Sequence, residues 1–402
     1  MKIFNKSAWK KVKLGDIFNL QMGKTPLREN KLYWDKGEHN WVSISDMNFS
    51  EKYLFSTKEK ITDIAVKESG IKLIPKNTVI MSFKLSIGKV KIVKEDIYSN
   101  EAIMAFIPKE NFFIDKNFLY YCLKSLKWNE GINKAVKGLT LNKNLISQKE
   151  IFLPDLAIQK EIANNLDGID NLLELRKKQL IYLKELSKSL FTRMFGDIKT
   201  NDKNWKIKKF HEIISILTDY HANGSYKILK DNVELLDFKE YALMIRTTDL
   251  ENNNFIQGVK YINEKAYNFL KKTKIFGGEL IINKIGSAGN VYLMPFLNIP
   301  VSLGMNQFMI RLKKDYSNIF YYKLLTTEYY TNVIKSNVQG AVTKTITKEA
   351  IKNIDIIIPP IELQNKFAER VEKIEKLKFE IEKSIEIAQN LYDSLISKYF
   401  DN

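Results

Sequence analysis

Two long stretches of the chain carry apolar residues at intervals of three and four positions, the spacing of one face of an α-helix. The first stretch follows Pro154 and the second follows Pro359-Pro360. A helix of roughly 40 residues extends about 60 Å, too far to lie across one small domain. We therefore predict that the two helices pair as an antiparallel coiled coil, which fits their length better than two ordinary core helices. The apolar positions expected at this interface are Ile158, Ile162, Leu166, Ile169, Leu173, Leu180, Leu183, Leu190, Leu363, Phe367, Val371, Ile374, Leu377, Ile381 and Ile385.

Outside these two helices, in the segments that precede each of them, the apolar residues follow a different pattern. Short apolar runs, such as residues 78–81 and 279–282, are bounded by glycine, asparagine or lysine and are typical of β-strands. Helical patterns follow at residues 117–126 and 318–325. Each globular segment is therefore predicted to be α+β.

The two halves of the chain repeat one another. Residues 86–90 (SIGKV) match residues 287–291 (SAGNV), and residues 153–156 (LPDL) match residues 358–361 (IPPI), in the same order. We predict two pseudo-repeated α+β domains separated by two long antiparallel helices. The expected boundaries are 1–153 for the first domain, 154–196 for the first helix, 197–358 for the second domain and 359–402 for the second helix.

The net charge of the chain limits the kinds of molecule that we expect it to bind. The formal net charge is +17, and it lies almost entirely in the globular segments because the two helical segments are nearly neutral. Such a field attracts polyanions, either nucleic acid or an anionic membrane surface. No run approaches the ~20 apolar residues of a membrane span, and the N-terminus lacks the apolar run of a signal peptide. We expect a cytoplasmic protein with no membrane partner.

The sequence contains no recognisable motif for catalysis or for metal binding. Cys122 is the only cysteine and there are three histidines, so we expect no structural metal site. Pro359-Pro360 lacks the preceding Asn or Asp and the following aromatic residue of an amino methyltransferase. Residues 286–289 (GSAG) lack the Gly-Lys-Ser/Thr ending of a phosphate-binding loop and are better explained as a turn between strands. We therefore propose no catalytic residue and no cofactor-binding residue.

Several motifs resemble the specificity subunits of type I restriction-modification systems. In the first half they are residues 23–26 (GKTP) with the aromatic residues that follow, and in the second half residues 219–226 (DYHANGSY), 244–246 (MIR) and 286–289. The proline and long helix of each half resemble the two conserved regions of that family. The resemblance covers nearly the whole chain.

This resemblance implies a non-catalytic protein that recognises a bipartite DNA site with two target-recognition domains. It implies double-stranded DNA, two methyltransferase subunits and a restriction/translocase subunit as partners. S-adenosylmethionine and Mg-ATP would be bound by those partners and not by this chain.

Candidate DNA contacts follow from the loops and from the chemistry of base edges. Arg and Lys suit guanine, while Asn and Gln suit adenine, although a surface lysine is nearly as often only solvated. The candidates are Lys24, Thr25, Arg28, Lys84 and Lys89 in the first domain and His221, Asn223, Arg246, Lys284, Asn290, Thr343 and Lys344 in the second.

Two other functions remain open at this point. One is a stand-alone methyltransferase or nuclease with altered motifs, which would bind S-adenosylmethionine by itself or cleave DNA. The other is a bridging protein whose coiled coil joins partners and which is indifferent to DNA.

Overall fold

The structure is a computed structural model, and it describes residues 6–49, 51–84, 86–128 and 141–401. The chain divides into two compact units. The first unit comprises Met1–Lys178 with Glu382–Asn402, and the second comprises Gln179–Ile381. Each unit therefore contains one globular segment and part of both long helices.

The strands and helices of the first globular segment alternate irregularly, as expected for an α+β domain. The strands are β1 (Lys10–Lys13), β2 (Phe18–Met22), β3 (His39–Val42), β4 (Tyr53–Leu54), β5 (Glu59–Ile61), β6 (Val79–Ser82), β7 (Val90–Val93), β8 (Tyr98–Ser99), β9 (Ile103–Pro108) and β10 (Glu150–Leu153). The helices are α1 (Leu14–Ile17), α2 (Asp63–Ser69), α3 (Lys116–Ser125), α4 (Lys143–Gln148) and the long α5 (Leu156–Phe195).

The second globular segment follows the same plan. Its strands are β11 (Lys206–Lys209), β12 (Ile214–Asp219), β13 (Ala242–Ile245), β14 (Lys260–Ile262), β15 (Lys274–Ile275), β16 (Leu280–Asn283), β17 (Val291–Leu293), β18 (Val301–Leu303), β19 (Gln307–Leu312) and β20 (Asp355–Ile358). Its helices are α6 (Tyr226–Asn232), α7 (Thr247–Glu251), α8 (Glu264–Phe269), α9 (Asn318–Leu325), α10 (Glu328–Ser336), α11 (Lys348–Lys352) and the long α12 (Ile361–Phe400).

Strand order shows that the two domains are structural repeats. The first has a five-stranded sheet in the order β2-β9-β6-β7-β4 and a second sheet in the order β5-β3-β8. The second has β12-β19-β16-β17 and β14-β13-β18-β15. In both, the first strand pairs antiparallel with the strand before the long helix, β1 with β10 and β11 with β20. The predicted fold of two pseudo-repeated α+β domains with two long helices is confirmed.

The central strand of each main sheet is buried on both faces. All four residues of β6 and all four of β16 are buried, which explains why both segments are continuous apolar runs rather than alternating ones. The helices α3 and α9 cover these sheets with aromatic side chains, including Phe118 and Phe320, which are fully buried. These cores hold the strand ends on which the polar loops are mounted.

The long helices pack against each other within both units. In the first unit the Asn165 amide, early in α5, donates to the Tyr399 hydroxyl at 3.3 Å, near the end of α12. In the second unit the rings of Phe195, at the end of α5, and Phe367, near the start of α12, meet edge to face at 5.2 Å. The start of one helix thus meets the end of the other, and the predicted antiparallel pairing is confirmed.

One residue assigned to the packed stripe does not lie on it. Val371 and Ile374 are buried, but the Leu377 side chain is 48% exposed. After Ile374 the buried face is continued by Lys378, four residues on, and then by Ile381, because the stripe alternates steps of three and four. Leu377 therefore belongs to the outer face of α12, which corrects the prediction.

Among the described residues, no helix combines the length and the apolar character needed to cross a membrane.

Candidate nucleic-acid interface

The loops of the first domain meet at one end of its sheets. The Lys24 N–H, just after β2, donates to Ser99 O at the end of β8, at 2.8 Å. The Asn100 N–H donates to Val42 O at the end of β3, at 3.0 Å. The loop after β6 joins the same end through the Phe83 N–H and Ala102 O, at 2.9 Å. The structure therefore brings the candidates of the first domain into one loop cluster.

Residues 23–28 enter this cluster in very close contact with the neighbouring strand. A Cβ atom at Gly23 would lie 2.0 Å from Ser99 O, so only glycine fits there. The Lys24 ammonium donates to Ser69 O at 2.6 Å, at the carboxyl end of α2. The Thr25 hydroxyl donates to Glu101 at 2.5 Å, and this hydrogen bond lowers the pKa of the Glu101 carboxyl. Lys24 and Thr25 thus already have protein partners.

Arg28 is held between two aromatic rings and a carboxylate. Its guanidinium lies 4.0 Å from the centre of the Trp34 ring and 4.7 Å from that of Trp41. Both of its terminal nitrogens donate to the Glu59 carboxylate, one of them at 3.2 Å. Aromatic stacking and a bidentate ion pair fix the plane of the guanidinium, which is the geometry in which arginine recognises planar acceptors.

The lysines of the loop between β6 and β7 differ in their surroundings. Lys84 lies beside the Phe83 ring, with its ammonium 5.4 Å from the ring centre. Lys89 donates to the Asn48 side chain. Lys91, which sequence reasoning did not select, is buried and donates to Phe49 O at 2.9 Å and to Glu51 O at 2.6 Å. Burial lowers the pKa of Lys91, and its ammonium holds the backbone of Phe49 and Glu51, which precede β4.

The second domain repeats this arrangement of strand ends. The Gly304 N–H, after β18, donates to Ile245 O at the end of β13, at 2.8 Å. The Lys284 N–H, after β16, donates to Asn306 O at 2.7 Å, and Lys284 O accepts from the Ile346 N–H at 3.1 Å. The loop before Ile346, which holds two further candidates, therefore joins the same cluster.

A buried carboxylate holds two lysines in this second cluster. Asp219, the last residue of β12, accepts from Lys348 at 2.7 Å and from Lys284 at 3.2 Å. Burial would raise the pKa of Asp219, but the two lysine hydrogen bonds outweigh it and hold the pKa below its ordinary value. The trio carries a net positive charge at neutral pH. Lys348 was missed from sequence because it lies 129 residues from its partner.

Two candidates of the second domain are hydrogen-bonded to protein groups. Arg246 donates to Asp249 through two side-chain nitrogens, at 2.7 and 3.2 Å, and this ion pair raises the pKa of Arg246. The Asn223 amide donates to Tyr220 O at 3.1 Å and to the Thr273 hydroxyl at 2.9 Å. Asn223 therefore fixes the loop after β12, and its side chain is engaged with protein atoms.

The remaining candidates lie at the surface of the cluster. His221 is exposed, and Asn290 lies at the end of the turn that joins β16 to β17. Thr343 and Lys344 are exposed in a hairpin closed by reciprocal 2.8 Å hydrogen bonds between Gln339 and Thr345. Apart from the half-buried Asn290, these side chains are exposed to solvent at this end of the domain.

Known proteins with similar sequences identify the family. A family model described as the type I restriction modification DNA specificity domain matches residues 6–185 and, a second time, residues 202–389. The chain belongs to the type I restriction-modification specificity subunits. The two matches each span one domain with most of its long helix.

Relatives of this specificity subunit extend over most of its length. The type I restriction enzyme MjaIX specificity subunit of Methanocaldococcus jannaschii is 26% identical over 97% of this chain and 92% of its own. The EcoprrI specificity subunit of Escherichia coli is 25% identical over 70% of this chain and 68% of its own. The crystal structure of the S subunit of a type I system from M. genitalium has a TM-score of 0.60 at 17% identity and covers 100% of this chain and 98% of that chain, which shows the shared fold.

The helices of the specificity subunit also carry apolar side chains outside the packed stripe. In the first unit Leu172, Leu175 and Ile387 are exposed, and in the second unit Ile181 and Tyr182 are exposed. These side chains add apolar area to the solvent-exposed faces of both helices. Within the described ranges, no group of His, Cys, Asp and Glu side chains is arranged to hold a metal ion.

Proposed function

We propose that this chain is the DNA-recognition subunit of a type I complex, reads a bipartite DNA site with its two domains and catalyses no reaction itself. One observation supports this most directly: both domains gather cationic and polar side chains on loops at the same end of equivalent strands. Loops held by a rigid scaffold are the usual place for recognition residues. Two such clusters in one chain fit a site with two separated halves.

The proposed contacts divide by chemistry. Lys84 and Lys344 lie in the loop clusters of the two domains, and a lysine ammonium suits phosphate oxygens, which position a protein on DNA without reading sequence. Arg28 has a fixed plane and suits the guanine edge, provided that the DNA competes with Glu59 for its donors. In the second domain, Asn290 and Thr343 are polar groups suited to base edges.

The partners follow from the family and from the helices. We propose that two methyltransferase subunits dock on the exposed apolar side chains of α5 and α12 and that a restriction/translocase subunit joins them. S-adenosylmethionine and Mg-ATP are then bound by these partners, and the complex acts in the cytoplasm. A solved structure with a TM-score of 0.54 at 13% identity, which covers 99% of this chain and 98% of that chain, concerns the complex assembly and conformational transition of the type I R-M system.

Methylome sequencing tests the proposal. Cells would express the methyltransferase partner with and without this chain. The expected result is a split motif with a methylated adenine in each half that occurs only when the chain is present. Absence of any chain-dependent motif, with a methyltransferase shown to be active, would favour the bridging protein, and methylation by the isolated chain would favour the enzyme.

Domain exchange tests the assignment of one half-site to each domain. Residues 1–153 would be replaced by the corresponding segment of another specificity subunit, with residues 197–358 exchanged as the matched control. Each exchange should change one half of the motif and leave the other half intact. A single exchange that altered both halves would contradict the proposal.

A further inference from the structure

The second unit contains a pocket of about 450 Å³, a volume typical of small-molecule sites, which range over about 300–1,000 Å³. It lies next to the loop cluster, between α6 and the loops that follow β13 and β18. Its apolar wall includes Leu229, Val233 and Met244, and an aromatic ring is supplied by Tyr220. None of these side chains is used by the proposed DNA contacts.

The polar part of the wall has unsatisfied hydrogen-bonding groups. Gln307, the first residue of β19, is fully buried, and neither its amide nitrogen nor its amide oxygen has a partner among the described residues. The Thr247 hydroxyl in the same wall likewise lacks one within those residues. Across the strand pair, Asn283 faces Gln307, and its amide oxygen also has no described partner. Because nearly all buried polar groups in proteins are paired, the Gln307 amide and the Thr247 hydroxyl offer hydrogen-bonding capacity that a ligand in this pocket can use.

The lining points to a flat ring that carries hydrogen-bonding groups on its edge. A glutamine amide offers one acceptor beside two donors, the pattern that complements the edge of a base such as adenine. Tyr220 provides an aromatic surface inside, and Tyr226 stands at the mouth with its side chain 69% exposed, where it can stack on a ring. Lys230 brings positive charge to the lining, which suits an attached phosphate, whereas the Arg246 guanidinium is already paired with Asp249.

We propose that this pocket binds a nucleobase, which the Gln307 amide recognises by its edge. The base comes either from a free nucleoside or from bound DNA, as a nucleotide turned out of the duplex. The second source rests on the proposed function, whereas the first does not. In either case Gln307 and Thr247 gain the hydrogen bonds that they lack.

The first experiment measures nucleoside binding to the full chain. Adenosine, guanosine, cytidine and thymidine would be titrated by calorimetry into the native protein, Gln307→Met and the matched control Gln257→Met, an exposed glutamine of the same domain. Methionine has a similar length and replaces an unpaired amide by an apolar group, so the variant should fold, which thermal unfolding verifies. The expected result is binding of at least one nucleoside that is weakened tenfold or more by Gln307→Met and is unchanged by Gln257→Met.

The second experiment uses the complex of the chain with its methyltransferase on DNA that contains the recognised site. Single 2-aminopurine and pyrrolocytosine substitutions would scan the half-site of the second domain, excluding the methylated base, because methyltransferases extrude their own target. A fluorescence increase at one position, lost in Gln307→Met and kept in Gln257→Met, would identify DNA as the source.

The two experiments separate the two proposals. Binding in either one that depends on Gln307 supports the nucleobase pocket. Absence of nucleoside binding together with no Gln307-dependent fluorescence overturns it. If no site-specific complex forms, the proposed function fails and the nucleoside titration alone decides about the pocket.

Discussion

Gln159 and Gln364 make the same pair of hydrogen bonds at the starts of the two long helices. Each side-chain amide donates at 2.8 Å to the carbonyl of a proline five residues earlier, Pro154 or Pro359. Each amide oxygen accepts the backbone N–H of the residue that caps the aromatic helix of its domain, Asp115 at 2.9 Å or Ser317 at 3.0 Å. One buried glutamine in each half thus ties a long helix to its domain.

Replacement of Gln364 by Ala should destabilise the second unit by about 2–3 kcal/mol, because it leaves a backbone donor and a backbone acceptor unpaired. Gln159→Ala should have the same effect on the first unit. Hydrogen exchange, which resolves the two units, would show faster exchange around α9 in one variant and around α3 in the other. The exposed Gln257→Ala serves as the control, and equal effects of all three would argue against this role.

The pH dependence of the second unit should reveal Asp219. Its pKa is held below the ordinary value of about 3.9, so its contribution to stability is present above that pH and is lost as the pH falls through the depressed pKa. Asp219→Asn should therefore cost about 1–3 kcal/mol at pH 7 and progressively less below about pH 4. Urea unfolding between pH 2 and pH 7 measures this, and a difference that grew on acidification would contradict it.

The fold could be read from the sequence because its two strongest signals are periodic. The three-and-four spacing predicted both long helices, and the collinear motifs predicted the repeat, since both depend only on local order along the chain. Which residues of α12 face the packed side was harder to predict from the sequence. Leu377 looks equivalent to Ile374 in an apolar pattern, yet the helix turns it outward and places Lys378 on the packed side.

Hydrogen bonds and ion pairs between residues far apart in the sequence could not be predicted from local patterns. Asn223 and Arg246 were chosen for donors that suit base edges, but the structure engages both with protein atoms, and Lys348 joins Asp219 across 129 residues. Such pairings depend on which strand ends become neighbours. Sequence alone could locate the loops that carry the candidates but could not divide those candidates between DNA and the fold.

Substitutions of Asn223 and Lys344 can distinguish a residue that stabilises the fold from one that contacts DNA. Asn223→Ala should destabilise the second unit by about 1–3 kcal/mol, because it leaves the backbone and hydroxyl partners of the amide unpaired. Lys344→Ala should leave stability within about 0.5 kcal/mol and weaken DNA binding by the assembled complex for all sequences, with a salt slope smaller by about one. Binding titrations at several salt concentrations test this, and an unchanged slope would remove Lys344 from the phosphate contacts.

Because Leu377 lies on the outer face of α12, its truncation should cost less stability than truncation of the buried Ile374. Ile374→Ala should cost about 2–4 kcal/mol because it opens a cavity in the packed helices, whereas Leu377→Ala should stay within about 0.5 kcal/mol. Chemical denaturation of the two variants compares them directly. Comparable losses would mean that Leu377 is packed after all.

Alkaline unfolding should report on Tyr121 in the first unit. Its hydroxyl donates to Asp167 at 2.5 Å and to Asp170 at 2.9 Å, and burial together with these carboxylates raises the pKa of the phenol far above its ordinary value of about 10. Above pH 10 the unfolded chain loses this proton while the folded chain keeps it. Stability should therefore fall as the pH rises, by up to about 1.4 kcal/mol per pH unit for this tyrosine.

Tyr121→Phe should lose about 1–3 kcal/mol at pH 8 and show a shallower decline between pH 10 and pH 11 than the native chain. The exposed Tyr182→Phe is the matched control, and an equally shallow decline in that variant would mean that the slope does not come from Tyr121.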